Sequence, residues 1–401
     1  MPSKRERRRK IKKGQCETVE SIIGLAEWRH YGFTFENSVG VCTLNTSNIS
    51  ALWFNPGSLV RDLSYAPTAS DYSHAARFMT VNNWKIFGLT MRECTNLKAI
   101  RFSGCDLSGE ELVAFFGDGM GGCPLEYLDL RKNSLGTIGI DALLPLLESR
   151  QELSYFDLSQ THMDDEAARK LSEGLNHCRI RCMNLECNQI GDNGLESLLF
   201  SSNAGYLRTL EFRGNNVGQQ GVETICRFLQ MGNINLQSIS LEIVRPEWVL
   251  LLLSAISKSS SLQFCHICGL AAGQARFDIQ KEMKTALSEL VMNTSNFASF
   301  CESNHTFQFL SCFSPDESLN AILRINSRRN MSTDEKLKRK FRLLFSKDGY
   351  DLNQLLTMKP VLVPYLIRIL EKPDGCILRN RGNGLDKIFR FISNWNIGQF
   401  N

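Results

Sequence analysis

Cysteine and histidine stand close together in the run Cys265-His266-Ile267-Cys268, where they could ligate a metal ion. Such side chains hold zinc when a second pair of ligands completes a tetrahedral site. No second pair at matching spacing accompanies this run. Alternation along a strand would also send Cys265 and Ile267 to one side and His266 and Cys268 to the other. We therefore predict a structural strand and no metal site.

Catalytic motifs are also missing from the sequence. We find no phosphate-loop pattern, no metalloprotease HExxH and no GxSxG nucleophile elbow. Residues 346–349 look like part of a calcium loop, but Leu344 and Leu355 would then occupy the first and last ligand positions, which require carboxylates. We predict no enzymatic activity, no catalytic residue and no cofactor.

An apolar pattern recurs along the middle of the chain. Its copies begin at Leu97, Leu125, Leu153, Ile180, Leu207, Leu236 and Leu262, which are 28, 28, 27, 27, 29 and 26 residues apart. Each copy has leucine-like residues at its first, fourth and sixth positions, and apolar residues at helical spacing follow. This period fits one strand and about three turns of helix, which bury their apolar faces only by stacking on neighbouring copies.

The ninth position of the first five copies carries a small side chain that can form hydrogen bonds. These residues are Cys105, Asn133, Thr161, Asn188 and Asn215. Each strand must turn sharply at this point, which leaves buried backbone groups without a strand partner. We expect a ladder of side chains to satisfy them, and an apolar replacement at Asn188 to cost roughly 1–3 kcal/mol.

The apolar pattern and the ladder together resemble the leucine-rich repeat family, and the long period with a full helix resembles its ribonuclease-inhibitor-like subtype. The resemblance covers residues 97 to about 270. It implies an α/β solenoid, or horseshoe, with parallel strands on the concave side, helices on the convex side and helical flanks at both ends. Members of this family include inhibitors, GTPase-activating proteins, immune sensors and scaffolds, so the family does not fix the function.

Composition divides the chain into four predicted regions. These are a disordered basic tail (1–16), an N-terminal flank with a capping helix (17–96), the leucine-rich repeat domain (97–270) and a helical C-terminal region (271–401). Residues 4–13 hold eight basic residues and one acidic residue, the repeats hold 14 and 21, and the C-terminal region holds 19 and 13. The tail could act in nuclear import, contact nucleic acid or acidic lipid, or only keep the protein in solution.

The flanks also contain patterns of helices and one strand. An apolar helix around Trp84, Phe87, Leu89 and Met91 is expected to cap the first repeat, and 304–313 to form one further repeat strand. Further helices are expected at 18–28, 277–292, 317–326, 334–345, 361–370 and 385–395. The basic residues of 334–345, among them Lys336 and Lys340, are expected to form a solvated face.

The 14 cysteines do not form the spacing of a disulfide framework, because several fall at buried repeat positions. Reduced thiols, and the absence of a signal peptide or an apolar stretch of about 20 residues, predict a cytoplasmic protein; a nuclear location stays open. We expect a monomer without a transmembrane segment.

Function should then come from the strand residues that face away from the helices, at the third, fifth and seventh positions of each copy. The predicted partner-binding residues are Tyr127, Asp129, Arg131, Tyr155, Asp157, Asn184, Glu186, Glu211 and Arg213. Tyrosines bury a large area at low entropy cost, and the nearby acids favour a partner that carries Lys or Arg. The simpler interpretation is that any exposed strand carries such residues.

Two hypotheses of different classes follow. The first is a non-enzymatic module that binds a protein partner through the concave face. The second is a regulator of a small GTPase, because the Ran GTPase-activating branch of this family is similar and Arg101 or Arg131 could face a nucleotide phosphate. A fragment of an immune-type sensor would need a nucleotide-binding domain, for which the sequence has no phosphate loop.

Overall fold

The computed structural model describes most of the repeat region and parts of both flanks. The described residues are 33–37, 49–54, 80–92, 97–117, 125–148, 153–270, 275–293 and 297–346. The predicted basic tail and the helices predicted at 18–28, 361–370 and 385–395 lie outside them. The described residues form two compact units: the first runs up to Phe228 and includes Gly232–Glu242, and the second contains Leu229–Met231 and the residues from Ile243 onward.

Two strands open the first unit, and helices and strands alternate from Val81 onward. The strands are β1 (Phe33–Asn37), β2 (Ile49–Phe54), β3 (Ala99–Arg101), β4 (Tyr127–Asp129), β5 (Tyr155–Asp157), β6 (Cys182–Asn184), β7 (Thr209–Glu211) and β8 (Ser238–Glu242). The helices are α1 (Val81–Arg92), α2 (Gly109–Phe116), α3 (Gly136–Glu148), α4 (Asp165–Leu175), α5 (Asp192–Leu199) and α6 (Gln219–Leu229). A short 3-10 helix, Ala204–Tyr206, precedes β7.

The strands β2 to β8 lie parallel and pair in sequence order, while β1 pairs antiparallel with β2. Residues at equal positions of successive repeats are direct neighbours, as Leu128 and Phe156 are. The leucine-like positions are buried throughout, so each repeat contributes one layer to a continuous core. The predicted α/β solenoid is confirmed.

The predicted ladder is present at the turns. The Asn188 amide oxygen accepts hydrogen bonds from the backbone N–H groups of Thr161 and Met163, each at 3.0 Å. Its amide nitrogen donates to the carbonyl oxygens of Leu158 and Leu185, at 2.9 and 3.0 Å. One side chain therefore satisfies four backbone groups of two repeats, as a sharp turn in a buried position requires.

The helix predicted around Trp84 is present as α1. In α1, Trp84, Phe87 and Met91 are buried, and the Trp84 ring lies edge-on to the rings of Phe102 and Phe115, with centroids 5.5 and 6.0 Å apart. Edge-to-face aromatic pairs of this kind add to the stability gained by burial alone. The helix thus packs on the core of the first clear repeat, and because β2 extends the sheet beyond β3, its role as a cap stays a prediction.

The second unit contains α7 (Pro246–Lys258), β9 (Phe264–Cys268), α8 (Ala275–Val291), α9 (Phe297–Cys301), β10 (Phe309–Leu310), α10 (Glu317–Asn326) and α11 (Thr333–Ser346). The strand predicted within 304–313 is β10, which pairs parallel with β9. The alternation predicted for β9 is confirmed, because Cys265 and Ile267 are buried and their neighbours are half-buried.

The solvated basic face predicted for α11 is wrong at one position. Lys340 is fully buried, and its ammonium group donates to the carbonyl oxygens of Val291 (2.7 Å) and Asn304 (3.1 Å) and to Nδ1 of His305 (2.9 Å). The charge pattern missed it because a long lysine can bury its whole stem when acceptors await its ammonium group. Lys336, one turn earlier, is half-buried and donates to the carbonyl oxygens of His305 and Asn326.

Candidate functional site

Two tyrosines form the most prominent group on the strand face of the first unit. Tyr127 and Tyr155 are direct neighbours on β4 and β5, and their rings stack with centroids 4.5 Å apart and planes 4° apart. This distance matches the spacing of adjacent strands, so the sheet itself holds the rings together. Both side chains are half-buried, which leaves part of each accessible. We refer to these two residues as the tyrosine pair.

Small residues flank the tyrosine pair on both sides. In the same row of the sheet, Ala99 lies beside Tyr127 and Cys182 lies beside Tyr155. A row that reads small, aromatic, aromatic, small leaves space against the outer faces of the two rings. Those faces could receive an apolar side chain or the cation of a Lys or Arg.

Asp129 lies beneath this surface and holds two arginines. Its carboxylate is 3.1 Å from Nε of Arg101 and 3.6 Å from Nε of Arg131, and its side chain is 1% exposed. Arg131 also donates from Nε to the Ser103 hydroxyl at 3.0 Å. Burial, and then the neighbouring Asp157, raise the pKa of Asp129 above its ordinary value. The two arginines and the backbone N–H of Arg131 act in the opposite direction.

Asp157 is also buried, with 0% of the residue exposed. Its carboxylate accepts hydrogen bonds from the backbone N–H and hydroxyl of Ser159 (2.9 and 2.7 Å), the hydroxyl of Tyr155 (3.2 Å) and the side-chain amide of Asn184 (3.3 Å). Burial, followed by Asp157, raises the pKa of Tyr155, so this phenol stays protonated and continues to donate.

The exposure predicted for Asp129 and Asp157 is therefore wrong. Alternation of the strand assigns these carboxylates to the correct face, but the neighbouring arginines, the tyrosine hydroxyl and the following turn enclose them. Their observed role is to fix the side chains around them. Ser103 and Ser159 belong to the same network and were not singled out from the sequence, although both occupy the seventh position of their repeats.

The remaining predicted residues lie further along the sheet. The amide oxygen of Asn184 accepts the backbone N–H of Glu186 at 3.0 Å, and Glu186 forms an ion pair with Arg213 on the next repeat. Glu211 is half-buried at the end of β7. Its carboxylate makes no ion pair with any residue that the structure describes.

The described residues lack a metal-ligand cluster, a disulfide and a membrane-spanning helix. They contain no group of three or more His, Cys, Asp or Glu side chains placed to hold a metal ion. The cysteines they include form no disulfide: Cys105, Cys178, Cys182, Cys187, Cys226, Cys265, Cys268, Cys301 and Cys312. Within these same ranges, every helix is too short or too polar to cross a membrane.

Comparison with known families agrees with this geometry. A family model described as "Leucine Rich repeat" matches residues 123–144, 177–199 and 206–226, which include the β4, β6 and β7 strands. The matched residues contain leucine-rich repeats. Repeats of this kind suggest a protein-interaction module. The ribonuclease-inhibitor-like subtype stays a prediction.

The curated relatives that the chain matches are much longer, and the match spans about 12% of their length. NACHT, LRR and PYD domains-containing protein 3 of Homo sapiens is 31% identical over 124 residues, which are 30% of this chain and 12% of the relative. NACHT, LRR and PYD domains-containing protein 12 of Mus musculus is 29% identical over 126 residues, again 12% of the relative. A solved structure of Leiomodin-1 Actin-Binding Site 2 matches 48% of this chain and 90% of its own, with 17% identity and a TM-score of 0.28, too low to support an argument.

Proposed function

We propose that this protein is a non-enzymatic binding module whose strand face holds a protein partner through the tyrosine pair. The observation that carries the proposal is the stack of Tyr127 on Tyr155, which is held in register by β4 and β5 and flanked by small residues. Rigid, partly exposed aromatic groups supply much of the energy in protein interfaces. Because the sheet fixes the rings before binding, little entropy is lost when a partner docks.

The charges around the tyrosine pair favour a partner that presents Lys or Arg. Arg101 and Arg131 are paired with Asp129, and Arg213 is paired with Glu186. Two carboxylates, Asp157 and Glu211, form no ion pair with the described residues, so the surface keeps an excess of negative charge. A basic side chain could lie against an outer tyrosine face while Glu211 and the buried carboxylates attract it.

The alternative of a GTPase regulator has no support from this arrangement. Both candidate arginines are engaged with one buried carboxylate, and Arg131 is held by Ser103 as well. An arginine that stabilises a transferring phosphate must be able to reach it. The observed contacts instead anchor both side chains within the sheet.

The proposal is tested by removing the rings and comparing the result with a phenylalanine variant, which loses the same hydrogen bond from the Tyr155 hydroxyl to Asp157 but keeps the rings. The variant Tyr127→Ala/Tyr155→Ala should lose the proteins that wild type captures from a cell extract, as identified by crosslinking and mass spectrometry. Tyr127→Phe/Tyr155→Phe keeps the stack and should retain most of them. Ile138→Ala, which alters an exposed apolar residue on α3, serves as the matched control. An unchanged set of crosslinked partners for the alanine variant would defeat the proposal.

A further inference from the structure

A second surface of the first unit has a charge pattern unlike that of the strand face. It consists of the loops that lead from a helix into the next strand, at residues 176–181, 200–208 and 233–237. These three segments contain Arg179, Arg181 and Arg208 and no Asp or Glu. We call this surface the arginine edge. It stands within a repeat region that carries more acidic than basic residues, 21 against 14.

Side-chain hydrogen bonds join the three loops. The Asn176 side chain accepts the backbone N–H of Ser202 at 2.8 Å, and the Asn203 side chain donates to the Asn176 carbonyl oxygen at 2.8 Å. Asn235 continues the series by donating to the carbonyl oxygen of Gly205 at 2.7 Å. The edge is therefore a preformed surface, because each loop is bonded to the next.

Two arginines lie next to each other on this edge. The backbone N–H of Arg208 donates to the carbonyl oxygen of Arg181 at 2.7 Å, so the two residues occupy equal positions on neighbouring repeats. Both are exposed, and neither forms an ion pair within the part of the chain that the structure describes. Like charges at neighbouring positions of a sheet cost stability.

The same positions in earlier repeats carry opposite charges. Lys98 and Glu126 are exposed there and form an ion pair at 2.6 Å. The fold thus accommodates a complementary pair at this row, and the later repeats have two cations instead. An arrangement that the fold does not require, and that disfavours the folded state slightly, is typical of a binding surface.

An aromatic ring completes the edge. The guanidinium of Arg179 lies 5.0 Å from the ring centre of Tyr206, whose residue is 44% exposed. This contact orients Arg179 without neutralising its charge. The edge therefore offers three guanidinium groups and a partly exposed phenol on a rigid backbone.

We propose that the arginine edge binds a short acidic peptide segment of a partner protein. Guanidinium groups bind carboxylates with paired, directional hydrogen bonds, and Arg181 and Arg208 offer two such groups about one strand spacing apart. Tyr206 can cover an apolar residue of the same segment. The edge has only three cations in a repeat region of net negative charge, which favours a short peptide over the long, dense charge of a nucleic acid.

The test measures binding of fluorescein-labelled decaglutamate by fluorescence anisotropy at low ionic strength. Every protein is the 401-residue chain with Gln in place of the eight Lys and Arg residues at 4–13, so that this basic segment does not compete. Arg181→Gln/Arg208→Gln should weaken binding about tenfold through the loss of charge-assisted hydrogen bonds. Lys132→Gln/Lys258→Gln removes the same net charge from two exposed residues elsewhere and should change binding less than twofold.

Three outcomes would overturn the proposal. The first is equal binding by the parent protein, which carries only the Gln replacements at 4–13, and the Arg181→Gln/Arg208→Gln variant. The second is an equal loss in the control variant, which would indicate dependence on net charge alone. The third is tighter, Arg181-dependent binding of a single-stranded DNA oligonucleotide of equal charge, which would assign the edge to nucleic acid. Unchanged far-ultraviolet circular dichroism confirms that each variant is folded.

Discussion

In the first unit, an asparagine at three of the turns bonds to backbone groups of two repeats, whereas in the second unit a buried lysine bonds to two separate segments. Asn188 and its equivalents carry no charge and recur with the repeat. Lys340 brings an ammonium group into the interior, where burial lowers its pKa well below the ordinary value. A periodic fold can satisfy its buried backbone groups with an uncharged side chain that recurs from repeat to repeat. In the irregular second unit a single ionisable side chain does this, and its charge depends on pH.

The largest effect should come from breaking the ladder. Asn188→Ala leaves four buried backbone groups without partners and should lower the free energy of unfolding by about 3 kcal/mol. Urea denaturation measures this loss. Asn216→Ala is the matched control, because Asn216 is exposed and its side-chain amide makes a long contact of 3.4 Å to the Gln189 carbonyl oxygen. A similar loss in both variants would mean that the ladder has no special role.

The second unit should lose stability in acid through His305. Burial, and then Lys340, lower the pKa of His305 from 6.5 to about 4. The unfolded chain therefore takes up a proton at higher pH than the folded one, and stability falls as the pH decreases from about 6.5 to about 4. The pKa difference of about 2.5 limits the resulting loss of unfolding free energy to about 3 kcal/mol. We expect a loss of about 2 kcal/mol because His305 is not fully enclosed.

This pH effect can be separated from general acid sensitivity. His305→Gln keeps an acceptor for the Lys340 ammonium group but cannot titrate. Hydrogen exchange of α11 backbone amides at several pH values should show a decline in protection for wild type and a flatter profile for the variant. Equal profiles would assign the acid effect to other groups.

The sequence predicted the repeat better than it predicted the surroundings of individual charges. The spacing from Leu97 to Leu262 and the ninth-position side chains identified strands, helices and ladder, because periodic burial imposes periodic residue types. Lys340 and Asp129 were expected at the surface and are buried. Local pattern assigns a side chain to a face, but whether neighbours then cover it depends on long-range contacts such as those of Arg101 and His305.

A smaller effect of opposite sign should come from Asp129 in the first unit. Its pKa is raised by burial and by Asp157, so the folded state takes up a proton at higher pH than the unfolded state does. Acidification through that range therefore stabilises the fold at this residue. The unfolding free energy of wild type relative to Asp129→Asn should increase as the pH falls towards 4. A constant difference would show that Asp129 does not titrate differently in the two states.

The smallest effect concerns the arginine edge and contrasts early with late repeats. Arg181→Glu places a carboxylate beside Arg208, as Glu126 lies beside Lys98. We expect a gain of about 0.3 kcal/mol, the usual size for an exposed ion pair, and its disappearance in Arg181→Glu/Arg208→Gln. Binding of decaglutamate by the single Arg181→Glu variant should weaken at least tenfold. A variant that is more stable but binds less would indicate that the adjacent cations serve binding at a cost in stability. A loss of stability would instead show that the Arg181 side chain contributes packing to the edge.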